Sequence, residues 1–139
     1  MNRIKQLSIF VENKTGQITD VTTLLSNNGL SIKSINLVDS SDFGLLRVIV
    51  DDEKKAKEIL DENGISLKIT DVFAVEIDDH VGSFNDVVTT LSTNNINIEY
   101  TYTVSNTKNG AFIFKVNPIE FDKVTQILEE KNIKILKGI

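Results

Sequence analysis

The sequence repeats itself at a fixed offset of 66 residues. Identical residues recur at this distance: Gly16 and Gly82, Asp20 and Asp86, Leu25 and Leu91, Val38 and Val104, and Gly44 and Gly110. Because the hydrophobic pattern between these identities also matches, the chain is interpreted as a duplication of one unit. The two predicted domains span residues 1–70 and 71–139.

Each copy predicts the same order of elements, βαββαβ. The first strand alternates apolar and polar residues, and the first helix has apolar residues at i, i+3, i+4 and i+7. This helix ends at Gly29 or Asn95, two residue types that tolerate a left-handed C-cap. The later elements are a second strand (30–38 and 96–104), a hairpin turn (40–44 and 106–110), a third strand (46–50 and 112–116), a second helix, and a fourth strand (65–69 and 133–137).

The second helix of each copy has a good N-cap residue before it. Asp51 precedes the helix in copy one and Asn117 in copy two, where Pro118 takes the first helical position. These lengths fit an α+β fold with two tandem ferredoxin-like units, each an antiparallel sheet with helices on one face. Only Thr70-Asp71 joins the copies, so we expect one rigid body.

Composition excludes several classes of function. The net charge of -5 argues against nucleic acid, which is bound through cationic patches. The absence of cysteine excludes disulfides, thiolate nucleophiles and cysteine-based metal sites. No signal-peptide core is present, and no apolar run is long enough to cross a bilayer. We therefore expect a cytoplasmic protein that contacts neither nucleic acid nor a membrane.

The loop between the first strand and the first helix is the best candidate site in each copy. The two segments are Asn13-Lys14-Thr15-Gly16-Gln17-Ile18 and Asp79-His80-Val81-Gly82-Ser83-Phe84. A helix N-terminus offers backbone N–H groups that suit a carboxylate, and the glycine allows a sharp turn. Asp78 or Asp79 can pair with an ammonium group, and His80 can donate to a ligand or titrate near neutral pH.

Each of these residues also has a purely structural interpretation. The glycines can serve only the turn, and Asn13 and Asp79 can cap the first helix. His80, the single histidine, can be a solvated loop residue. The hypothesis of a binding site therefore depends on both loops sharing one position in the repeat.

The strand–loop–helix motif Phe10–Ile18 resembles that of the ACT domain family of small-molecule-binding regulatory modules. Asn13, Lys14 and Gly16 match the family's loop, Thr15 replaces its proline, and Ile18 fits its apolar position. In copy two Gly82 and the apolar Phe84 match, whereas Asp79, His80 and Val81 depart from the pattern. The resemblance covers the whole chain and is greatest to free-standing tandem ACT proteins.

The resemblance implies that an amino acid binds at the interface between two ACT domains, without a cofactor. The ligand would lie near the loop after strand one and near strand two of the neighbouring domain. This adds Asn36 in copy one and Tyr102 in copy two to the two loops, although the residue type of Tyr102 favours a packing role over a contact with a ligand. The implied role is that of a regulator or sensor.

Other classes of function have less support. The aromatic third strand 108–114 is similar to an RNA-binding motif, but copy one lacks its aromatic rings. No nucleophile–base pair, phosphate loop or zinc motif occurs, and His80 with Asp78 or Asp79 is a weak acid–base or metal signal. We therefore expect no catalytic activity.

The alternative function is a ligand-free oligomerisation or protein-interaction module. The strand pattern of copy one places five apolar residues on the sheet face away from the helices: Phe10, Ile35, Leu37, Leu45 and Ile49. Such a face is too apolar to remain in water, so we expect a homodimer that covers it. A bulge in the second strand would change this assignment.

Overall fold

The computed structural model describes residues 3–12, 14–39, 43–105 and 108–139. Its elements are β1 (Ile4–Glu12), α1 (Gln17–Asn27), β2 (Ile32–Asp39), β3 (Phe43–Val50), α2 (Glu53–Glu62), β4 (Leu67–Glu76), α3 (Ser83–Thr93), β5 (Tyr100–Val104), β6 (Ala111–Lys115), a 3-10 helix (Pro118–Glu120), α4 (Phe121–Glu130) and β7 (Ile135–Leu136). The predicted α+β class with two βαββαβ units is confirmed. Residues 40–42 and 106–107 of the predicted hairpin turns lie outside the described residues.

The chain divides into two compact units. The first unit comprises Lys5–Thr70, and the second comprises Asp71–Ile139 together with Arg3 and Ile4. Neighbouring strands follow the order β2-β3-β1-β4 in the first unit and β5-β6-β4-β7 in the second. In both units the third strand therefore separates the first from the second, and the last strand pairs with the first.

Strand β4 belongs to both units, and the prediction of two separate strands on either side of Thr70-Asp71 was wrong. A single strand runs through these residues because no glycine or proline interrupts it and β-branched Thr70 suits extended backbone. Strand β5 is shorter than predicted and begins at Tyr100, while β7 is reduced to Ile135–Leu136. The expectation of one rigid body stays a prediction.

Each unit has its own hydrophobic core. The core of the first unit is aliphatic and includes the fully buried Leu7 and Leu46. The core of the second unit is built around the buried rings of Phe73, Phe114 and Phe121. The Phe73 ring stacks on Phe114 at 5.5 Å between centroids and meets Phe121 edge-on at 6.0 Å. The same backbone thus encloses two differently shaped cores.

The helix C-termini follow the sequence prediction. Gly29 after α1 and Asn95 after α3 take the left-handed conformation, with φ of 71° and 59°. Gly64 after α2 and Asn132 after α4 do the same, with φ of 72° and 57°. Glycine in one copy and asparagine in the other satisfy the same backbone requirement.

The N-cap of α2 lies one residue later than predicted. The Asp52 carboxylate accepts the Lys55 backbone N–H at 3.1 Å, whereas Asp51 accepts the backbone N–H of Ser31 at 3.0 Å. Asp51 and Asp52 are equally suitable N-cap residues, so the sequence alone could not distinguish between them. In the second unit Asn117 was predicted to cap the second helix but caps the 3-10 helix before it, by accepting the Ile119 N–H at 3.2 Å; the N-cap of α4 is Glu120.

A bulge near the start of β2 reverses the predicted facing of that strand. After the one-residue shift in register, Ile35 lies opposite Val48 and Leu37 lies opposite Leu46. Opposed residues of an antiparallel pair share a face, so Ile35 and Leu37 lie on the helix-covered face and not on the open face. Both remain half-exposed because β2 is the edge strand.

The remaining open-face assignments of the first unit hold in part. Phe10 and Leu45 pair directly on that face, and Phe10 is exposed. Ile49 is buried, which the strand pattern did not predict. Among the described residues, no helix is both long enough and apolar enough to span a membrane.

Candidate functional site

The same three backbone hydrogen bonds hold the strand–helix loop of each unit. In the first unit Lys14 N–H donates to Glu12 C=O (2.9 Å), Gln17 N–H to Lys14 C=O (3.4 Å), and Asp20 N–H to Gly16 C=O (2.9 Å). The equivalent bonds of the second unit, 66 residues later, measure 2.9, 3.3 and 2.8 Å. The two loops therefore have one backbone design with different side chains.

A left-handed glycine makes the turn from loop to helix in both units. Gly16 has a φ of 91° and Gly82 a φ of 90°, and each is the N-cap residue of the following helix. A Cβ atom at either position would meet nothing within 4 Å. Glycine is required there by the backbone conformation and not by crowding, so the space beside each turn is open.

The N-termini of α1 and α3 carry no side-chain cap. The predicted capping by Asp79 was wrong because Gly82 is the N-cap and Asp79 lies three residues before it; Asn13 lies outside the described residues. The first helical hydrogen bond of α3 is made by Asp86, and no acceptor among the described residues takes the N–H groups of Phe84 and Asn85. These groups are available to an anion.

A cleft opens beside the loop in each unit. The cleft of the second unit has a volume of about 860 Å³ and lies between the start of α3 and the turn that follows α4. The cleft of the first unit, about 520 Å³, occupies the equivalent position between α1 and the turn that follows α2. Both volumes fall within the range of small-molecule sites.

The two clefts differ in their linings. Charged side chains line the cleft of the second unit, namely Glu76, Asp78, Asp79, Asp86, Lys131 and Lys134. In the first unit the positions of Glu76 and Asn109 are taken by Phe10 and Phe43, so two polar lining residues of the second cleft have apolar equivalents in the first. Its acidic lining residues are Glu12 and Asp20. The second cleft therefore suits a polar, charged ligand better.

The structure brings part of the predicted second-copy site together. Asp79, His80 and Ser83 line the cleft, while Val81 is fully exposed. The Phe84 ring packs on Phe112 at 4.9 Å between centroids, on the helix-covered face. This contact anchors the first turn of α3 and leaves part of the ring exposed.

Tyr102 does not join this group. It lies opposite Ile113 in the sheet, whereas the neighbouring residue Phe112 contacts Phe84, so Tyr102 lies on the other face. Its ring is half-buried and stacks on Tyr100 at 6.5 Å between centroids. Within its own unit Tyr102 therefore has a packing environment, and a contact with a ligand stays a prediction.

The predicted residues of the first copy are dispersed. Gln17 lines the 520 Å³ cleft, and its side-chain oxygen accepts the Glu12 N–H at 3.4 Å. Lys14 and Ile18 line a separate pocket of about 60 Å³, and Thr15 is exposed. Asn36 is half-buried opposite Arg47 on β2 and lines neither the cleft nor this small pocket.

His80 is held between two carboxylates. Its Nδ1 lies 3.1 Å from Asp78 Oδ2, and its Nε2 lies 3.0 Å from Asp86 Oδ2. The hydrogen bond with Asp86 is the largest cause that raises the pKa of His80, and the charges of both carboxylates add to it against a partial desolvation. Within the described ranges, no group of three or more potential ligands is arranged to hold a metal ion.

Sequence reasoning missed Asp86 and the turn after α4 as parts of this site. Asp86 recurs in the repeat as Asp20, one helical turn after the glycine, so its position was detectable. Lys131 and Lys134 are distant from the loop in sequence and reach the cleft only because β7 pairs with β4. The strand order of the fold predicts this neighbourhood once that pairing is known.

Comparison with known proteins agrees with this architecture. Residues 2–137 match the family described as the ACT domain pair. No curated protein matches the chain. Among solved structures, protein BT0572 from Bacteroides thetaiotaomicron superposes with a TM-score of 0.87 at 35% identity, over 97% of this chain and 92% of that one.

Two more distant structures share the fold. The regulatory subunit of aspartate kinase from Thermus thermophilus, in a ligand-free form, has a TM-score of 0.64 at 12% identity, over 93% of this chain and 91% of that one. The corresponding subunit from Thermus flavus has a TM-score of 0.63 at 13% identity, over 94% and 92%. With the family match across nearly the whole sequence, these findings establish that the chain belongs to the ACT domain pair family.

Proposed function

We propose that this ACT domain pair binds an amino acid and acts as a regulatory sensor, not as a catalyst. The observation that carries the proposal is the family match over residues 2–137. The Thermus proteins of the same fold are named regulatory subunits, which agrees with this role. The proposal retains the position implied by the resemblance, a ligand at an interface between two ACT domains.

The loop of the second unit has groups for both ends of an amino acid. The N–H groups of Phe84 and Asn85 suit the α-carboxylate, because they lack acceptors among the described residues and lie at the positive end of the α3 dipole. The exposed carboxylates of Asp78 and Asp79 line the cleft of the second unit, as Asn85 does, and they suit the α-ammonium. We propose that the second unit provides the competent loop.

A thermal-shift screen against the twenty common amino acids tests the proposal. A ligand that binds only the native protein increases its free energy of unfolding, by about 2.7 kcal/mol when the ligand concentration is a hundred times Kd. This increase is observed as a higher melting temperature. Calorimetry then gives the stoichiometry, which we expect to be one ligand per chain. If no amino acid at millimolar concentration changes the melting temperature, the proposal fails.

Glycine substitutions locate the site. Gly82→Val places a β-branched residue at a φ of 90°, which costs about 1–3 kcal/mol and displaces the loop, so we expect the response to the amino acid to disappear. Gly29→Val is the matched control, since it carries the same left-handed strain at the C-terminus of α1. It should lower the melting temperature and retain the response. Gly16→Val is the equivalent substitution in the first unit. If the site is in the second unit, this variant should retain the response to the amino acid; if the site is in the first unit, the response should disappear.

Exposed apolar side chains on the first unit support the proposed homodimer. Phe10 and Phe43, which lie on the open face of its sheet, are 52% and 60% exposed. Burial against a second chain would remove this surface from water. Sedimentation at micromolar concentration should show a dimer, and a monomer would contradict the proposal. A stable dimer without any response to an amino acid would favour the alternative, a ligand-free oligomerisation module.

A further inference from the structure

The two units place different cations at one position of the same loop. Lys14 and His80 are equivalent in the repeat, two residues before the left-handed glycine. Lys14 Nζ lies 3.1 Å from Glu12 Oε2, and His80 Nδ1 lies 3.1 Å from Asp78 Oδ2, the equivalent carboxylate. Each unit thus has an equivalent cation–carboxylate pair within its own loop. In the second unit the cation is histidine, a side chain that titrates near neutral pH.

His80 makes a second contact that ties the loop to the helix. Its Nε2 lies 3.0 Å from Asp86 Oδ2 in the first turn of α3. An ionised carboxylate only accepts hydrogen bonds, and a neutral imidazole has one N–H donor. Both contacts can therefore be hydrogen bonds at the same time only when the imidazole is protonated. In the neutral form one ring nitrogen has a lone pair and no proton, so its contact with the ionised carboxylate is not a hydrogen bond.

The other charged groups around His80 leave this arrangement intact. Asp79 is the next residue toward β4, and Glu76, Lys131 and Lys134 line the same cleft. Lys134 Nζ pairs with Glu76 Oε2 at 3.6 Å, so these two charges face each other. The carboxylates of Asp78 and Asp86 are therefore the groups in direct contact with the ring.

We propose that His80 is a proton-dependent clasp, closed when protonated, that fastens the loop between β4 and α3 to the first turn of α3 and makes the second cleft sensitive to pH. The loop of the first unit has lysine, and not histidine, at this position. The coupling of the clasp to ligand binding rests on the proposed function, whereas the clasp itself does not.

The direction of the pH dependence follows from the raised pKa of His80. A group whose pKa is higher in the folded than in the unfolded chain stabilises the fold below its unfolded value, about 6.5 for histidine. This contribution disappears as the pH rises through the folded value. The clasp is therefore closed in mildly acidic solution and opens on the alkaline side of that range.

Nuclear magnetic resonance tests the clasp directly, because His80 is the single histidine and its ring signals need no assignment. We expect its titration midpoint in the folded protein to lie above that of the same residue in the urea-unfolded chain. Asp86→Asn should lower the midpoint most, and Asp78→Asn should lower it less. A folded midpoint at or below the unfolded one, or a midpoint unaffected by Asp86→Asn, would overturn the proposal.

Exchanging the two cations tests the consequence for binding. Calorimetry with each common amino acid at about pH 6 and about pH 8 brackets the titration of an imidazole. We expect the affinity of the wild-type protein to change between these values and that of His80→Lys to stay constant. The same pH dependence in both proteins would refute the coupling.

The reciprocal variant Lys14→His controls for introducing a histidine elsewhere. It should leave the pH dependence of binding in the second unit unchanged, and a change of equal size would also refute the coupling. If no amino acid binds at either pH, the proposed function and the coupling fail, while a raised midpoint that falls in Asp86→Asn still supports the clasp. The two failures are therefore distinguishable.

Discussion

The two units share a backbone and differ in the side chains that it carries. Both turn at a left-handed glycine after the first strand and leave each helix through a left-handed residue. Where the first unit has Leu7 in its core, the second has Phe73, and where the first cleft has Phe10, the second has Glu76. Backbone conformation was thus retained in both copies, whereas cores and clefts diverged.

This difference indicates which parts of the fold are interchangeable. Positions at which the backbone is left-handed accept only residues that tolerate a positive φ. After the helices, the first unit therefore has glycine and the second unit has asparagine. Core positions must be filled without cavities. Either an aliphatic or an aromatic side chain is accepted there if the surrounding side chains are complementary to its shape. Loop side chains are under neither constraint, so they can acquire separate roles, as Lys14 and His80 illustrate.

The largest expected effect on stability comes from substitutions in the two cores. Phe73→Ala should reduce the free energy of unfolding by about 3–5 kcal/mol, and the equivalent Leu7→Ala by about 2–5 kcal/mol, because both side chains are fully buried. Urea denaturation measures both. Ile119→Ala is the control, since this side chain is 83% exposed and its removal should cost less than about 0.5 kcal/mol. Equal losses for Phe73 and Ile119 would contradict the described core.

A smaller test asks whether the caps of the two units are equivalent. Asp52→Ala and Asn117→Ala each remove a side chain that accepts a backbone N–H, so each should cost about 1 kcal/mol. Asp52→Asn retains the acceptor and should cost little. Thermal melts of the four proteins, wild type included, give the comparison. If Asp52→Asn destabilised the protein as much as Asp52→Ala, the assignment of the cap would be incorrect.

A smaller effect still is expected at Arg3, which contacts two residues of the second unit. Its guanidinium lies 4.4 Å from the centroid of the Phe121 ring and 3.0 Å from the Asp71 carboxylate. Both contacts are partly exposed to solvent, so Arg3→Ala should cost less than about 1 kcal/mol, measured by urea denaturation. Lys57→Ala, which breaks an exposed ion pair within α2, should cost about 0.3–0.5 kcal/mol and provides the baseline.

Much of the fold could be predicted from the sequence because its signals are local. Glycine and asparagine at the helix ends and the alternation of the strands depend on residues close together in the chain. The repeat, with its offset of 66 residues, then shows that the same local signals occur twice. The errors arose where the outcome depends on pairing between strands. The bulge in β2 is defined by register against β3 and reversed the facing of Ile35 and Leu37.

The candidate site was predicted only in part for the same reason. The loop residues Asp79, His80 and Ser83 were found from the repeat, and they line one cleft. The opposite wall comes from Lys131 and Lys134, which the loop sequence cannot reveal. Capping was wrongly expected at Asp79 because a glycine N-cap can be recognised only from its backbone angles.

The assignment of Arg3 and Ile4 to the second unit has a consequence for the order of synthesis. Arg3 precedes the first unit in the chain, whereas its contacts, Asp71 and Phe121, are synthesised only after the whole of that unit. Domains generally fold as units and the N-terminal one folds first. The second unit is therefore completed by residues that are made before the first unit, and removing Arg3 and Ile4 should destabilise the second unit.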